Sequence, residues 1–255
     1  MGAAVQALSR TCSTSATLWL WPGQALYAGP SLDLGVHTGS VECLAVGVDA
    51  PVRVEVPGWT PVTARSVLIP PRLPHQVVAR GGQMVFCYLD AGSSYAKSCR
   101  AQMTVTDGPL SHSHRAETSL LRHGYGASWL TMAAPASPGT GRDPRIHAAT
   151  RRLLRNPEST VTARLLADEA GLSVSRFLHL FKAETGTSFR RYRLWSRMLR
   201  AAELIDAGHD LTRVAADAGF SSPSHLSSAF HGMFGLTPSR LLAVPLTIRR
   251  GDRSP

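Results

Sequence analysis

The spacing of apolar positions changes twice along the chain. Between residues 17 and 90, short apolar runs recur: Thr17–Trp21, Ala25–Ala28, Leu32–His37, Val41–Val48, Val52–Val56, Ser66–Ile69, His75–Ala79 and Met84–Leu89. Val52, Arg53, Val54, Glu55 and Val56 alternate strictly, as a half-buried strand does. Gly58, Pro61, Pro70, Pro71, Pro74, Gly81 and Gly82 punctuate the runs as turns. Many short strands at this spacing predict a mainly-β sandwich or small barrel. From Ser94 the pattern loosens, and Ser94–Met103 and Ser111–Arg122 read as helices. Residues 133–144 then gather Pro135, Pro138, Gly139, Gly141 and Pro144, the composition of an interdomain linker.

Beyond the linker the period is helical. Arg145–Asn156 places Ile146, Ala149, Leu153 and Leu154 on one side. Tyr192, Trp195, Met198, Leu199, Ala202 and Ile205 form a three-four stripe, which predicts one long helix over Ser188–Ala207. The segments flanking that helix repeat each other. Ala167-Asp168-Glu169-Ala170-Gly171-Leu172-Ser173 returns 48 residues later as Ala215-Ala216-Asp217-Ala218-Gly219-Phe220-Ser221; Phe181 and Gly186 return as Phe230 and Gly235. Each copy reads as helix, glycine turn, second helix. Ala170 and Ala218 let two helices approach, and Gly171 and Gly219 supply positive φ. Ser173 and Ser221 suit helix caps. Phe177 with Phe181, and Leu226 with Phe230, give the second helix of each copy a buried face, and Gly186 and Gly235 stop it. Pro238 opens a further helix.

Composition adds a core and a charge. The 255 residues are 44% hydrophobic, which excludes wholesale disorder, and no run approaches the roughly 18 apolar residues of a membrane span. The first residues lack a basic segment followed by an apolar one, and Gln6 stands where a myristoylation motif needs Ser or Thr, so a cytoplasmic, nucleoid-associated location and no membrane partner are expected. Net charge is +10. Nine basic and seven acidic residues precede position 133; eighteen and ten follow, so +8 of it sits in the second half. A basic half of this kind suits a polyanionic partner such as nucleic acid. Cys12, Cys43, Cys87 and Cys99 are scattered, with no C-x-x-C pair, and read as buried thiols.

The second half resembles the DNA-binding domain of the AraC/XylS family of bacterial transcription regulators. Leu166-Ala167, Gly171-Leu172-Ser173, Phe181-Lys182, Gly186, Tyr192, Arg197, Ala201, Gly219-Phe220-Ser221, Phe230, Phe234-Gly235 and Thr237-Pro238-Ser239 carry the resemblance over residues 145–242. It implies an all-α domain over 145–255, with helix-turn-helix units at 162–186 and 210–235 reading successive major-groove segments. Base contacts would come from Ser175, Leu178 and His179 in the first unit, and from Ser224, His225, Ser227 and Ser228 in the second. Phosphate contacts would come from Ser173, Arg176, Lys182, Arg190 and Ser222. Positions 179 and 228 are His and Ser where the family usually has Arg, and 231 is His where Lys is frequent. The second recognition helix thus carries no Lys or Arg.

Residues 17–90 resemble, more faintly, the cupin-like domain that several family members place first, notably at Ser66-Val67-Leu68-Ile69-Pro70-Pro71 and His75-Gln76, so a sensing and dimerising domain is expected over 1–132. The resemblance implies promoter DNA as partner, with a small effector, a second copy and RNA polymerase as further ones. Trp19, Trp21, Tyr27, His37, Trp59, His75, Phe86 and Tyr88 are the candidates to line an effector pocket. His37, Glu42 and His75 fall short of a catalytic cupin's ligand set, and His112-Ser113-His114 lies outside the barrel strands, on a stretch read as helix where i and i+2 diverge. No cofactor or metal is expected. A DNA-binding regulator, not an enzyme, is the leading reading. A metal-dependent cupin or an alkyl-transfer enzyme fused to a DNA-binding domain is the alternative, as is a first half that recruits a protein.

Overall fold

The computed structural model describes residues 15–135, 142–158 and 161–251. The first half is β-rich: β1 (Ala16–Trp21), β2 (Gln24–Pro30), β3 (His37–Thr38), β4 (Glu42–Gly47), β5 (Val52–Glu55), β6 (Val62–Ala64), β7 (Ser66–Ile69), β8 (Pro74–Val78) and β9 (Gln83–Leu89). Then follow α1 (Ser94–Gln102), β10 (Met103–Asp107), β11 (Leu110–His114), α2 (Glu117–Arg122) and α3 (Ala127–Ala133). The second half comprises α4 (Pro144–Arg155), α5 (Ala163–Glu169), α6 (Val174–Thr185), α7 (Phe189–Asp206), α8 (Leu211–Asp217), α9 (Pro223–Phe234), α10 (Pro238–Leu242) and β12 (Leu246–Arg250).

Two sheets form, ordered β10-β11-β7-β4-β9-β2-β1-β12 and β3-β8-β5-β6. The centre of the eight-stranded sheet is buried on both faces, so β4 is buried throughout and shows no alternation, while the edge strands β10 and β12 are largely exposed. One face sends Trp21, Leu26, Leu44, Val46, Leu68 and Val85 against Ala96, Cys99, Leu120, Trp129 and Leu130 of α1–α3. The other sends Tyr27, Cys43, Ala45, Val67, Ile69 and Phe86 against Val52, Val54, Val62 and Val77 of the smaller sheet.

Three expectations are corrected. Residues 111–114 are strand, not helix: the Met103–Asp107 and Leu110–His114 segments pair as a hairpin around Gly108, whose φ is +57°. His112 and His114 therefore lie on β11, where Ser113 at φ +63° interrupts the regular pleat. His114 is buried, not solvated; its Nε2 meets the Ala133 carbonyl at 2.9 Å and its Nδ1 accepts from Ala116 N–H at 3.1 Å. Second, the C-terminal half is not all-α. Leu246–Arg250 leaves the helices and pairs in parallel with β1, from Ala16 opposite Leu246 to Leu20 opposite Arg250. Third, the cap of α9 is Ser222, which accepts from His225 N–H at 3.0 Å; Ser221 has another partner. Of the 133–144 linker, residues 136–141 lie outside the described ones, as do Cys12 and Gln6.

The halves are joined by buried polar contacts. Asp90, at the end of β9, accepts from Arg142 at 2.7 Å and from the Tyr192 hydroxyl of α7 at 2.7 Å. Trp195 Nε1 donates to the Gly23 carbonyl at 3.2 Å, and Arg191 to that of Thr38 at 3.1 Å. Gly35 N–H donates to the Gly235 carbonyl at 2.8 Å, where α9 ends. Glycine is required at two of these seams. A Cβ on Gly92 would stand 1.7 Å from the Glu184 carbonyl oxygen, and one on Gly235, whose φ is +77°, 2.5 Å from that of Gly35.

Candidate DNA interface and effector cavity

The first helix pair is built as its spacing requires. Thr162 caps α5 by accepting from Leu165 N–H, and Gly171 turns the chain at φ +64°. Ser173 caps α6 by accepting from Arg176 N–H at 3.3 Å, and Gly186 ends it at φ +67°. Phe177 and Phe181 are fully buried against Tyr192, so the opposite face of α6 is turned outward. On that face Ser175, Arg176, His179 and Lys182 are exposed, and Leu178 is 38% exposed. Among the described residues neither Arg176 nor Lys182 has a carboxylate partner. Ser173 and Arg190 are exposed at the two ends of the unit.

The second pair follows the same plan with less charge. Asp210 caps α8 through Thr212 and Arg213 N–H, and Gly219 turns at φ +80°. Leu226 and Met233 face inward, leaving Ser224, His225 and Ser228 exposed and Ser222 and Ser227 half-buried. Backbone N–H of Ser221 donates to His225 Nδ1 at 3.3 Å, and the Ser221 hydroxyl lies 2.9 Å from it. Accepting at Nδ1 leaves the ring proton of the neutral form on Nε2, an outward donor. The Phe220 ring, edge-on at 5.5 Å, fixes the imidazole further. This locking is a feature the residue order did not reveal.

The eight pocket candidates do not share one pocket. Tyr27, Phe86 and Tyr88 line an apolar cavity of about 90 Å³ between the large sheet, to which β12 adds Ile248, and α7, α9 and α10, which close it with Trp195, Phe230 and Phe234. Sequence reasoning missed this second wall, because it comes from residues more than a hundred positions away. His37 and His75 meet Phe86 and Tyr88 at a second, water-sized cavity of about 10 Å³. Their rings lie 4.3 Å apart, with Nδ1 of each on a backbone carbonyl, Gly35 and Leu73, at 2.9 and 2.8 Å. Burial, with His37 beside it, pushes the His75 pKa down to about 4; burial lowers that of His37 too. Trp21 packs on the other face, against the helices, and Trp19 lies against Tyr125. Trp59 is 56% exposed and rests on the β10–β11 turn at Gly108. These three tryptophans are thus corrected: strand alternation and an exposed turn take them away from the cavity.

Glu42 is separated from the two histidines. It is buried and accepts from Arg100 at 2.8–3.1 Å; burial pushes its carboxyl up to about 7 against the pull of that guanidinium. Among the described residues no group of three or more His, Cys, Asp or Glu is placed to hold a metal ion. No helix among them is long and apolar enough to cross a membrane.

Residues 166–243 match the helix-turn-helix domain family model HTH_18. A putative AraC-like transcription regulator of Streptomyces antibioticus is 26% identical over 170 residues, 59% of this chain and 54% of that protein. Over residues 166–243 the chain is thus similar to AraC-like helix-turn-helix regulators. Invasion protein InvF of Salmonella typhi is 32% identical over 94 residues, 35% of this chain and 42% of that protein. The chain spans about half the length of these curated relatives. Among solved structures, ToxT from Vibrio cholerae O395 superposes over 87% of this chain and 97% of its own, with TM-score 0.54 at 11% identity. The unsaturated-fatty-acid-bound form of ToxT covers 92% and 97%, with TM-score 0.52 at 12% identity. These likenesses give the fold alone: a β-rich half followed by a helical half.

Proposed function

We propose that the protein is a sequence-specific transcription regulator that binds promoter duplexes through α6 and α9 and answers to a small effector. The observation that carries this is the pair of capped helix-turn-helix units, each holding an exposed polar helix face on the rigid α7. In this reading Ser175, Leu178 and His179, then Ser224, His225, Ser227 and Ser228, meet base edges. Ser173, Arg176, Lys182, Arg190 and Ser222 hold phosphates. His179 and the Nε2 of His225 donate to guanine O6 or N7, and Leu178 meets a thymine methyl. Residues 1–132, read as a cupin-like unit, sense and dimerise; 133–144 link them to the DNA-binding residues 145–255.

The effector site in this reading is the cavity that Tyr27, Phe86 and Tyr88 share with α7, α9 and α10. Its lining is apolar, and at about 90 Å³ it is tighter than an ordinary ligand pocket, so an effector would part the sheet from α9 on entering and alter how α9 is held. The ligands named for the ToxT structures, an unsaturated fatty acid and a naphthalenyl butenoic acid, support an apolar ligand body. The experiment is selection of binding sites from random duplexes with the full chain. Enrichment of one motif with two elements about 10 base pairs apart is expected; recovery of unenriched sequence would overturn the reading.

A further inference from the structure

Between β1, α4, α7 and β12 lies another concavity, of about 390 Å³. Its floor is apolar: Leu20, Trp21, Leu154 and Leu199. Its rim is cationic. Arg151 and Arg155 stand with Leu154 at i, i+3 and i+4 on one face of α4; Arg200 comes from α7 and Arg250 from β12. Two carboxylates answer these four guanidinium groups, and both are taken. Glu203 pairs with Arg200 at 3.1 Å, and Asp206 with Arg250 at 3.3 Å. Arg151 and Arg155 have no carboxylate partner among the described residues, although like charges four apart on a helix repel. Their neighbour Arg152, on another face, is paired with Glu169. The concavity near Lys97 and Arg100 differs: Glu184 lines it, and Arg100 is spent on Glu42.

We propose that this concavity binds a small organic anion, a carboxylate or phosphate monoester on a compact apolar body. The anionic group would sit between Arg151 and Arg155, and the body would cover Leu154 and Trp21. A volume of this size is that of a ligand pocket. A recessed apolar floor suits such a body. Because the walls come from β1, α4, α7 and β12, the ligand would tie the β-rich half to the helical half, and bound anion would raise the melting temperature.

The test is calorimetry and thermal melting of the full chain with phenyl phosphate, benzoate, inorganic phosphate and neutral benzyl alcohol. Phenyl phosphate and benzoate are expected to bind and raise Tm. Benzyl alcohol should not bind, and inorganic phosphate should bind at least tenfold more weakly than phenyl phosphate. The exposed pair Arg151→Gln/Arg155→Gln should keep its circular dichroism and ligand-free Tm while losing at least tenfold in affinity for phenyl phosphate. No binding by either organic anion, or undiminished binding by the variant, would overturn the proposal. So would inorganic phosphate binding as tightly as phenyl phosphate. A variant that keeps its anion affinity but loses duplex affinity would assign these arginines to DNA instead.

Discussion

Replacing Asp90 with Ala tests what holds the two halves together. The Asp90 and Arg142 side chains are each 8% exposed and 2.7 Å apart, and Tyr192, whose hydroxyl donates to the other carboxylate oxygen, is fully buried. Removing the carboxylate leaves a guanidinium in the interior with no counter-ion, beside Thr150 Oγ1 at 3.0 Å and the Tyr192 hydroxyl, and a phenol without its carboxylate acceptor. Breaking a buried pair from one side costs about 3–5 kcal/mol, because the remaining charge keeps its desolvation penalty. The lost phenol acceptor falls within that range, since it belongs to the same network. Asp90→Ala is therefore expected to lose about 3–5 kcal/mol in urea unfolding of the full chain at pH 7. Asp90→Ala with Arg142→Met, which removes both charges, should recover at least about 1 kcal/mol of it. A single-variant loss below about 1 kcal/mol, or a double variant less stable than either single one, would refute the reasoning.

Further outcomes follow from the same contacts. Gly92→Ala should destabilise the chain by at least about 2 kcal/mol, since its Cβ would meet the Glu184 backbone as well as the Arg142 guanidinium; an unchanged melting curve would contradict the seam. Arg176→Ala with Lys182→Ala should weaken binding to every duplex sequence and flatten the salt dependence by about 0.9 per lost phosphate contact, more than Ser227→Ala with Ser228→Ala does; equal losses in a binding titration would count against the asymmetry between the units. His75 has a folded pKa of about 4, below its unfolded value of 6.5, so its contribution is full above pH 6.5 and is lost as pH falls toward 4. That loss amounts to roughly 3 kcal/mol. His75→Phe should show a shallower acid loss in urea unfolding between these pH values, and parallel profiles would remove His75 as the cause.

Much of the helical half was legible because its determinants are local. Gly171, Gly186, Gly219 and Gly235 all take the positive φ that their place in the repeat demands, and Phe177 and Phe181 are buried at i, i+4. What was not legible depends on partners far apart in the chain. Asp90 is 52 residues from Arg142 and 102 from Tyr192, and neither spacing leaves a mark in a local pattern. Leu246–Arg250 becomes a strand only because β1 offers an edge, and Arg249 and Arg250 hide its apolar alternation. Trp59 is a pocket candidate by residue type, yet Gly58 puts it on a turn. The apolar cavity was half legible: Tyr27, Phe86 and Tyr88 belong to the strands read from the pattern, while α9 and α10 reach them only through the fold.

The central claim, that α6 and α9 enter two successive major-groove segments of one duplex, is tested most directly by hydroxyl-radical and guanine-N7 methylation footprinting of the full chain on a selected site. The account predicts guanine N7 protection in two clusters about 10 base pairs apart on one face of the helix, with the cluster facing α6 losing its protection in His179→Ala. A single protected cluster, or protection confined to the backbone with every guanine N7 still reactive, would contradict it.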